Sequence, residues 1–89
     1  MAKNKIKCLC FYAWWDSNSK IKQEQMYNAV KKNGFYCDML DVEENVPLTI
    51  KYGIRNVPAI VVLDGTKVLG VEMGNDGYKR IDKYARGAR

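Results

Sequence analysis

The sequence contains no histidine, only two prolines and no long hydrophobic run. Without histidine, the chain cannot build a Ser-His-Asp triad, a Cys-His nucleophile pair or a zinc site with imidazole ligands. Any catalysis would therefore have to use Cys, Asp, Glu, Lys, Tyr or Ser side chains. Composition alone thus excludes several common kinds of active site.

Cysteine is also scarce, and the three that occur are Cys8, Cys10 and Cys37. An odd number cannot pair completely, and the spacing matches neither a secreted disulfide framework nor a four-cysteine metal site. We therefore predict free thiols in a reducing compartment, with no bound metal and no cofactor. A cytoplasmic location, for a cellular or a phage protein, is the simplest expectation.

The longest apolar run covers residues 8–15, whereas a helix needs about twenty residues to cross a bilayer. Lysines precede this run as they would in a signal peptide. The run nevertheless ends in Trp14, Trp15 and Asp16, without the small residues of a cleavage site. We expect neither a membrane span nor a secretory signal.

The chain has 89 residues and is 47% hydrophobic, which predicts a single domain over residues 1–89. We expect it to be a monomer.

Its net charge of +5 comes from residues 1–34 and 65–89, because residues 35–64 are net negative. No segment has the dense basic run of a nucleic-acid arm, so nucleic acid is not the favoured partner. The alternative that remains open is nucleic-acid binding through the basic first helix and the tail residues Lys79, Arg80, Lys83, Arg86 and Arg89.

Hydrophobic patterning predicts the order β-α-β-α-β-β-α, that is, an α/β domain whose four-stranded mixed sheet is flanked by helices. The continuous apolar character of residues 6–13 indicates a strand covered on both faces. Polar residues 16–19 indicate a helix start, and Gly34 is a typical helix stop. The intervening helix has an apolar stripe of Ile21, Met26, Ala29 and Val30.

The remaining elements are predicted as a strand over 35–42, a short helix over 46–52 and strands over 59–63 and 67–73. A last helix is predicted to begin near Asn75 or Asp76 and to end at Gly87. The first strand–helix–strand unit favours parallel pairing of its strands. Asp64 and Gly65 form a strong hairpin signal, so the last two strands are expected to pair antiparallel.

Two segments of the sequence resemble the thioredoxin family. Residues 11–15, Phe-Tyr-Ala-Trp-Trp, together with Lys20 are similar to the family's active-site strand and loop. Residues 51–59, Lys-Tyr-Gly-Ile-Arg-Asn-Val-Pro-Ala, are similar to the segment that leads into its cis-proline. Gly74 falls where the family has a glycine beside the active site. The resemblance spans about residues 5–84 and implies the thioredoxin fold.

The resemblance includes a departure at the loop that carries the family's chemistry. The Cys-Gly-Pro-Cys motif of thioredoxin corresponds here to Asp16-Ser17-Asn18-Ser19. Dithiol exchange needs one thiol to attack a disulfide and a second thiol to resolve the mixed intermediate. Asp16 cannot do the first and Ser19 cannot do the second. We interpret Asp16 as a cap that accepts backbone amides at the helix start.

The departure extends behind the loop, because a buried aspartate and a lysine of the family correspond to Cys10 and Met39. Replacing both ionisable partners together leaves no unpaired buried charge, which favours a coordinated loss of dithiol exchange. Cys8 and Cys10 share one face of their strand, and Cys37 joins them if its strand is the neighbour. We favour buried apolar packing for these thiols over redox use or metal binding.

The resemblance further implies that the family's substrate groove persists without its chemistry. In the family, the residue before the cis-proline offers its backbone to an extended segment, and here Val57 precedes Pro58. We therefore favour a redox-inactive protein or peptide binder over an enzyme, and leave the question of enzymatic activity open. The alternative is an atypical thiol–disulfide oxidoreductase, or a glutaredoxin-like protein, that uses a cysteine outside the loop. The predicted groove consists of Trp14, Trp15, Asp16, Ser19, Val57, Pro58 and Gly74.

Overall fold

The computed structural model describes residues 6–87, and their side chains as far as residue 85. The predicted domain limits at 1 and 89 lie outside the described residues. So do Arg89 and the side chain of Arg86, both assigned to the predicted basic tail. Within residues 6–87, every helix is too short or too polar to span a bilayer.

The elements follow the predicted order, with a short 3₁₀ helix added before the last α-helix. They are β1 (Ile6–Tyr12), α1 (Ser19–Lys32), β2 (Tyr36–Asp41), α2 (Val46–Lys51), β3 (Ala59–Asp64), β4 (Lys67–Met73), the 3₁₀ helix Gly77–Arg80 and α3 (Asp82–Gly87). The strands form one sheet in the order β2-β1-β3-β4. The β1–β2 pair is parallel, and the β1–β3 and β3–β4 pairs are antiparallel. The predicted four-stranded mixed sheet is confirmed.

Strand β1 is central in the sheet and supplies both hydrophobic cores. Because successive strand residues face opposite sides, Cys8 and Cys10 point to one core while Leu9 and Phe11 point to the other. Of these four residues, all but Leu9 have no exposed surface, and Leu9 is also buried. The uninterrupted apolar run of β1 thus reflects a strand covered on both faces, as predicted.

Each face of the sheet is covered by different elements. The first core contains buried residues of β1, α1 and β3 and of the chain just before β2 and α3, which are Ile6, Cys8, Cys10, Met26, Val30, Phe35, Ile60, Val62 and Ile81. The second core contains Leu9, Phe11, Ala59, Val61 and Leu63. Side chains from α2 and the loop after it, such as Leu48, Tyr52 and Ile54, pack against the second core.

The turn between β3 and β4 has the predicted hairpin form. Asp64 pairs with Lys67, so Gly65 and Thr66 alone connect the two strands. Gly65 has a φ of 63°, a left-handed conformation that glycine adopts without a steric cost. This two-residue turn sets the register in which β4 runs back along β3, apart from an irregularity at Val62 and Leu63.

Two details of the helices differ from the sequence-based expectation. Ile21 is 59% exposed and does not belong to the buried stripe of α1. Ser19 and Met26 are buried seven residues apart, and at 100° per residue Ile21 falls on nearly the opposite side of the helix from Ser19. The last helix was predicted to begin near residue 75, but α3 begins at Asp82 after the 3₁₀ helix. Glycine suits the first position of the 3₁₀ helix, because a Cβ at Gly77 would lie only 3.0 Å from the Glu72 carbonyl oxygen.

The buried carboxylate of Glu72 on β4 binds side chains of the 3₁₀ helix and of α3. Arg80 Nε donates to Glu72 Oε1 at 2.7 Å, and Tyr84 Oη donates to Oε2 at 2.6 Å. Lys83 Nζ lies 3.1 Å from the same Oε2. Burial raises the pKa of Glu72, but the hydrogen bonds from Tyr84, Arg80 and Lys83 outweigh it and hold the pKa below its usual 4.5.

We expect Glu72→Gln to lower the free energy of unfolding by about 1–3 kcal/mol at neutral pH, because it weakens charge-assisted hydrogen bonds to a buried group. Because the folded-state pKa is lowered, this stabilisation is full above the usual value and is lost as pH falls through the folded-state pKa. Urea unfolding at several pH values tests this. The difference between wild type and variant should narrow below about pH 4.5.

The matched control is Glu44→Gln, because Glu44 is exposed and its side chain has no partner within the described residues. This variant should unfold like the wild type at neutral pH. A Glu72→Gln penalty that stays constant down to about pH 3 would contradict the assigned role of the carboxylate.

Candidate functional site

The loop from β1 to α1 turns tightly and directs two tryptophans outward. Ala13 is buried at its start, and the Asp16 amide donates to the Ala13 carbonyl at 3.1 Å. The Ser19 amide then donates to the Asp16 carbonyl at 2.9 Å. Between these turns, Trp14 and Trp15 remain 63% and 59% exposed. Such exposure of two large aromatic side chains is typical of an interaction surface.

Asp16 links this loop to the first turn of α1 and is not the N-cap residue of the helix. Its Oδ1 accepts the amide of Asn18 at 2.9 Å, and its Oδ2 accepts Lys22 Nζ at 2.6 Å. The N-cap position is occupied by Asn18, which makes no side-chain capping bond. The predicted cap is therefore confirmed only in part: the Asp16 carboxylate accepts a backbone amide at the helix start, but this amide belongs to the N-cap residue Asn18 and not to the first turn of α1. The hydrogen bonds from Lys22 and from the Asn18 amide lower the pKa of Asp16.

Ser19 lies at the first position of α1 and is buried. Its hydroxyl oxygen accepts a hydrogen bond from Gln23 Nε2 at 2.9 Å, one helical turn further on. No other side-chain partner of this hydroxyl occurs among the described residues, so no base stands ready to take its proton. Ser19 thus has a structural position and no arrangement for nucleophilic attack.

The second loop of the site precedes β3. The Val57–Pro58 peptide bond is cis, and the Gly74 amide donates to the Pro58 carbonyl at 2.9 Å. This bond places Gly74, with a φ of 97°, directly beside Pro58. Within residues 6–87, no backbone hydrogen bond uses the amide or the carbonyl of Val57. The backbone of Val57 is consequently available to an external strand.

Lys22 joins the two loops and was missed by the sequence analysis. It lies with Pro58 and Gly74 around a shallow recess that Met26 and Tyr78 also line. Through its bond to Asp16, Lys22 connects this recess to the tryptophan loop. The side chains of Lys22 and Asp16 are only 20% and 22% exposed. The sequence did contain a signal for this pair, because Lys22 lies in the first turn of the predicted helix, six residues after the acidic loop residue Asp16.

A cleft of about 250 Å³ opens beside Val57 and Trp15. Its walls are largely apolar, and Arg55 supplies a cation. The full lining consists of Trp15, Val42, Thr49, Ile54, Arg55 and Val57. Val42 follows β2 and Thr49 belongs to α2, so the cleft depends on tertiary contacts that a linear pattern does not contain. An apolar side chain of a bound segment would fit this space.

Trp14 does not line this cleft. Its Nε1 donates to Glu43 Oε1 at 2.9 Å, and it is not among the residues that line the cleft. The structure therefore brings Trp15 together with Val57, and Pro58 together with Gly74. Asp16 is connected to the second pair through Lys22. Trp14 and Ser19, although predicted for the groove, lie outside these two groups.

No protein-family model and no curated protein matches the sequence, but many solved structures do. The germline-specific thioredoxin Deadhead of Drosophila melanogaster is 26% identical over 96% of this chain and 83% of that chain, with a TM-score of 0.77. A mutant thioredoxin of Halobacterium salinarum is 20% identical over 98% and 77%, with a TM-score of 0.79. Oxidised thioredoxin of Plasmodium falciparum is 23% identical over 94% and 85%, with a TM-score of 0.74.

The similarity to these thioredoxins covers nearly all of the chain at low sequence identity, so it establishes the fold. Together with the sheet order β2-β1-β3-β4, it confirms the predicted thioredoxin-like α/β architecture.

We expect Asp16→Asn to lower the melting temperature at neutral pH, because Lys22 loses its anionic partner. The lowered pKa of Asp16 means that this stabilisation is full above the usual value of 3.8 and disappears as pH falls through the folded-state value. Thermal melts at neutral and acidic pH measure the effect, and the variant and wild type should converge in acid.

A double-mutant cycle with Lys22→Met isolates the pair, because the Asp16→Asn effect should then become small. Asp76→Asn is the control, since Asp76 pairs with Lys79 at 3.4 Å and both side chains are well exposed. Equal losses for Asp16→Asn with and without Lys22 would show that the ion pair is not what stabilises the loop.

Proposed function

We propose that this chain is a redox-inactive thioredoxin-like domain that binds an extended segment of a protein or peptide. Redox-inactive means here that its Asp16–Ser19 loop does not reduce protein disulfides. The observation that carries the proposal is the backbone of Val57, which makes no hydrogen bond within the described part of the chain and lies beside the cleft of Trp15. We further propose a cytoplasmic monomer, formed by one domain, that needs no cofactor.

The groove supports strand addition in a simple way. A segment that lies along Val57 gains backbone hydrogen bonds from the free amide and carbonyl, whichever side chains it carries. One apolar side chain of the segment can enter the cleft between Trp15 and Ile54. Burial of such a side chain contributes about 1.5–3 kcal/mol. Backbone pairing thus supplies general affinity, and the cleft supplies preference for an apolar residue.

The loop supports the absence of exchange chemistry. Its residues Asp16 and Ser19 stand where the resemblance to thioredoxins expects the two cysteines, and neither can carry electrons between disulfides. The Asp16 carboxylate is held by Lys22, and the Ser19 hydroxyl is held by Gln23. Both side chains therefore stabilise the loop and the start of α1, and this structural role does not require thiols.

The charge distribution favours a protein partner over nucleic acid. Three residues of the predicted basic tail pair with carboxylates, since Lys79 contacts Asp76 and both Arg80 and Lys83 contact Glu72. Paired cations attract phosphates less than free ones do. The tail residues therefore support the C-terminal elements, and nucleic-acid binding receives no specific support from them.

Reduction of insulin by dithiothreitol tests the proposed inactivity. The wild-type protein should not accelerate the reaction above the rate with dithiothreitol alone. The double variant Asp16→Cys with Ser19→Cys should accelerate it, because it places two thiols at the ends of an otherwise intact loop. This variant is the positive control within the same fold. Clear turnover by the wild type would overturn the claim of inactivity.

Peptides selected from a random library displayed on phage, with the wild-type domain as bait, test the groove. Trp15→Ala should weaken binding of the selected peptides about tenfold or more, because the variant removes one wall of the cleft. Trp14→Ala is the matched control and should change affinity less than about twofold, since Trp14 lies outside the cleft. Fluorescence anisotropy of a labelled peptide gives both values. Peptides that bind both variants as they bind the wild type would refute the proposed position of the groove.

A further inference from the structure

Three thiols meet where β1 and β2 pair, on the face of the sheet covered by α1. Cys8 lies opposite Cys37 in the strand register, and Cys10 lies opposite Met39. The closest sulfur contact is between Cys10 Sγ and Cys37 Sγ, at 3.8 Å. Cys37 Sγ also lies 3.7 Å from Met39 Sδ. All three cysteines are free thiols.

The three thiols differ sharply in access. Cys8 and Cys10 have no exposed surface, whereas Cys37 is partly exposed on the edge strand β2. Met39, whose sulfur contacts Cys37, lines an open cleft of about 210 Å³ together with Tyr27. A small molecule therefore has room beside Met39, whose sulfur contacts Cys37, whereas Cys8 and Cys10 have no exposed surface to offer it. An accessible thiol in contact with a buried one is the arrangement of an attacking and a resolving cysteine.

The surroundings also favour the thiolate of Cys37 over that of Cys10. The hydrogen bond with Cys10 and the positive charge of Lys31 lower the pKa of Cys37, against burial and the charge of Asp38. The same hydrogen bond, together with burial, raises the pKa of Cys10. Burial raises the pKa of Cys8 to about 12. The accessible thiol is thus also the one that ionises first.

We propose that Cys37 and Cys10 form a redox modification site that is oxidised to a disulfide by small disulfides of the oxidised glutathione class. This site is separate from the peptide groove, because neither cysteine lines the cleft of Trp15 and Val57. Metal binding is a weaker use of these thiols, since the described residues contain no group of three side chains placed to hold a metal ion.

The chemistry proceeds in two exchange steps. The Cys37 thiolate attacks one sulfur of oxidised glutathione, forms a mixed disulfide and releases one glutathione thiolate, which takes up the proton that Cys37 had lost. The Cys10 sulfur then attacks the Cys37 sulfur, and the second glutathione leaves with the proton of Cys10. One external disulfide is reduced to two thiols, while two protein thiols are oxidised to one disulfide.

The test treats the reduced, folded wild-type protein with oxidised glutathione, blocks the remaining thiols in denaturant and measures the intact mass. We expect one blocked thiol and a disulfide, which trypsin digestion maps between residues 8–20 and the peptide that contains Cys37. Cys10→Ala should stop at the glutathione adduct on Cys37, and Cys37→Ser should take up no glutathione. Cys8→Ala is the matched control and should oxidise as the wild type does.

Three blocked thiols in the treated wild type would overturn the proposal, as would a disulfide that forms in Cys10→Ala through Cys8.

A second measurement uses the unmodified sequence, so that its result does not depend on whether the variants fold. In the native wild type, iodoacetamide should label Cys37 about tenfold faster than Cys8 or Cys10. Equal labelling rates would also overturn the proposal. Peptide binding by Cys37→Ser should match the wild type, so failure here and failure of the groove proposal are distinguishable.

Discussion

The structure depends on the double burial of strand β1. This strand pairs with a neighbour on each side and presents apolar residues to a core on each face. Its alternation decides which residues meet: Cys10 faces α1, and Phe11 faces the side covered by α2. The candidate site begins where this strand ends, after Tyr12, so the direction of the tryptophan loop follows from the packing of the strand that precedes it.

The groove and the thiol pair are two results of this arrangement. At the end of β1, the chain leaves the sheet and meets the loop before β3, where the Val57 backbone has no hydrogen-bond partner among residues 6–87. Within β1, the parallel neighbour β2 brings Cys37 against Cys10. The proposed peptide groove lies at the end of β1, whereas the proposed thiol site lies within the β1–β2 pair. The two proposed sites are thus at different places along one strand.

The sequence predicted the fold well because its signals are local. The apolar run of β1, the Asp64-Gly65 turn and Gly34 after α1 each specify an element without knowledge of the rest. The site was predicted only in part. Trp15 and Val57 were found through the resemblance, but Lys22, Arg55 and Val42 were not, because three separate elements bring them to the groove. Asp16 was assigned as a cap at the start of α1. Its bond to Lys22 was not predicted, because Lys22 becomes its neighbour only after the loop folds back.

The bridge from Asp16 to Lys22 has a consequence for how related sequences can vary. Both side chains are only about one-fifth exposed, so a change at one position leaves a partly shielded charge without its partner. Positions 16 and 22 should therefore evolve as a unit, with both charges kept or both lost together. Trp14 and Glu43, joined by one hydrogen bond at an exposed place, are under no such constraint and can drift independently.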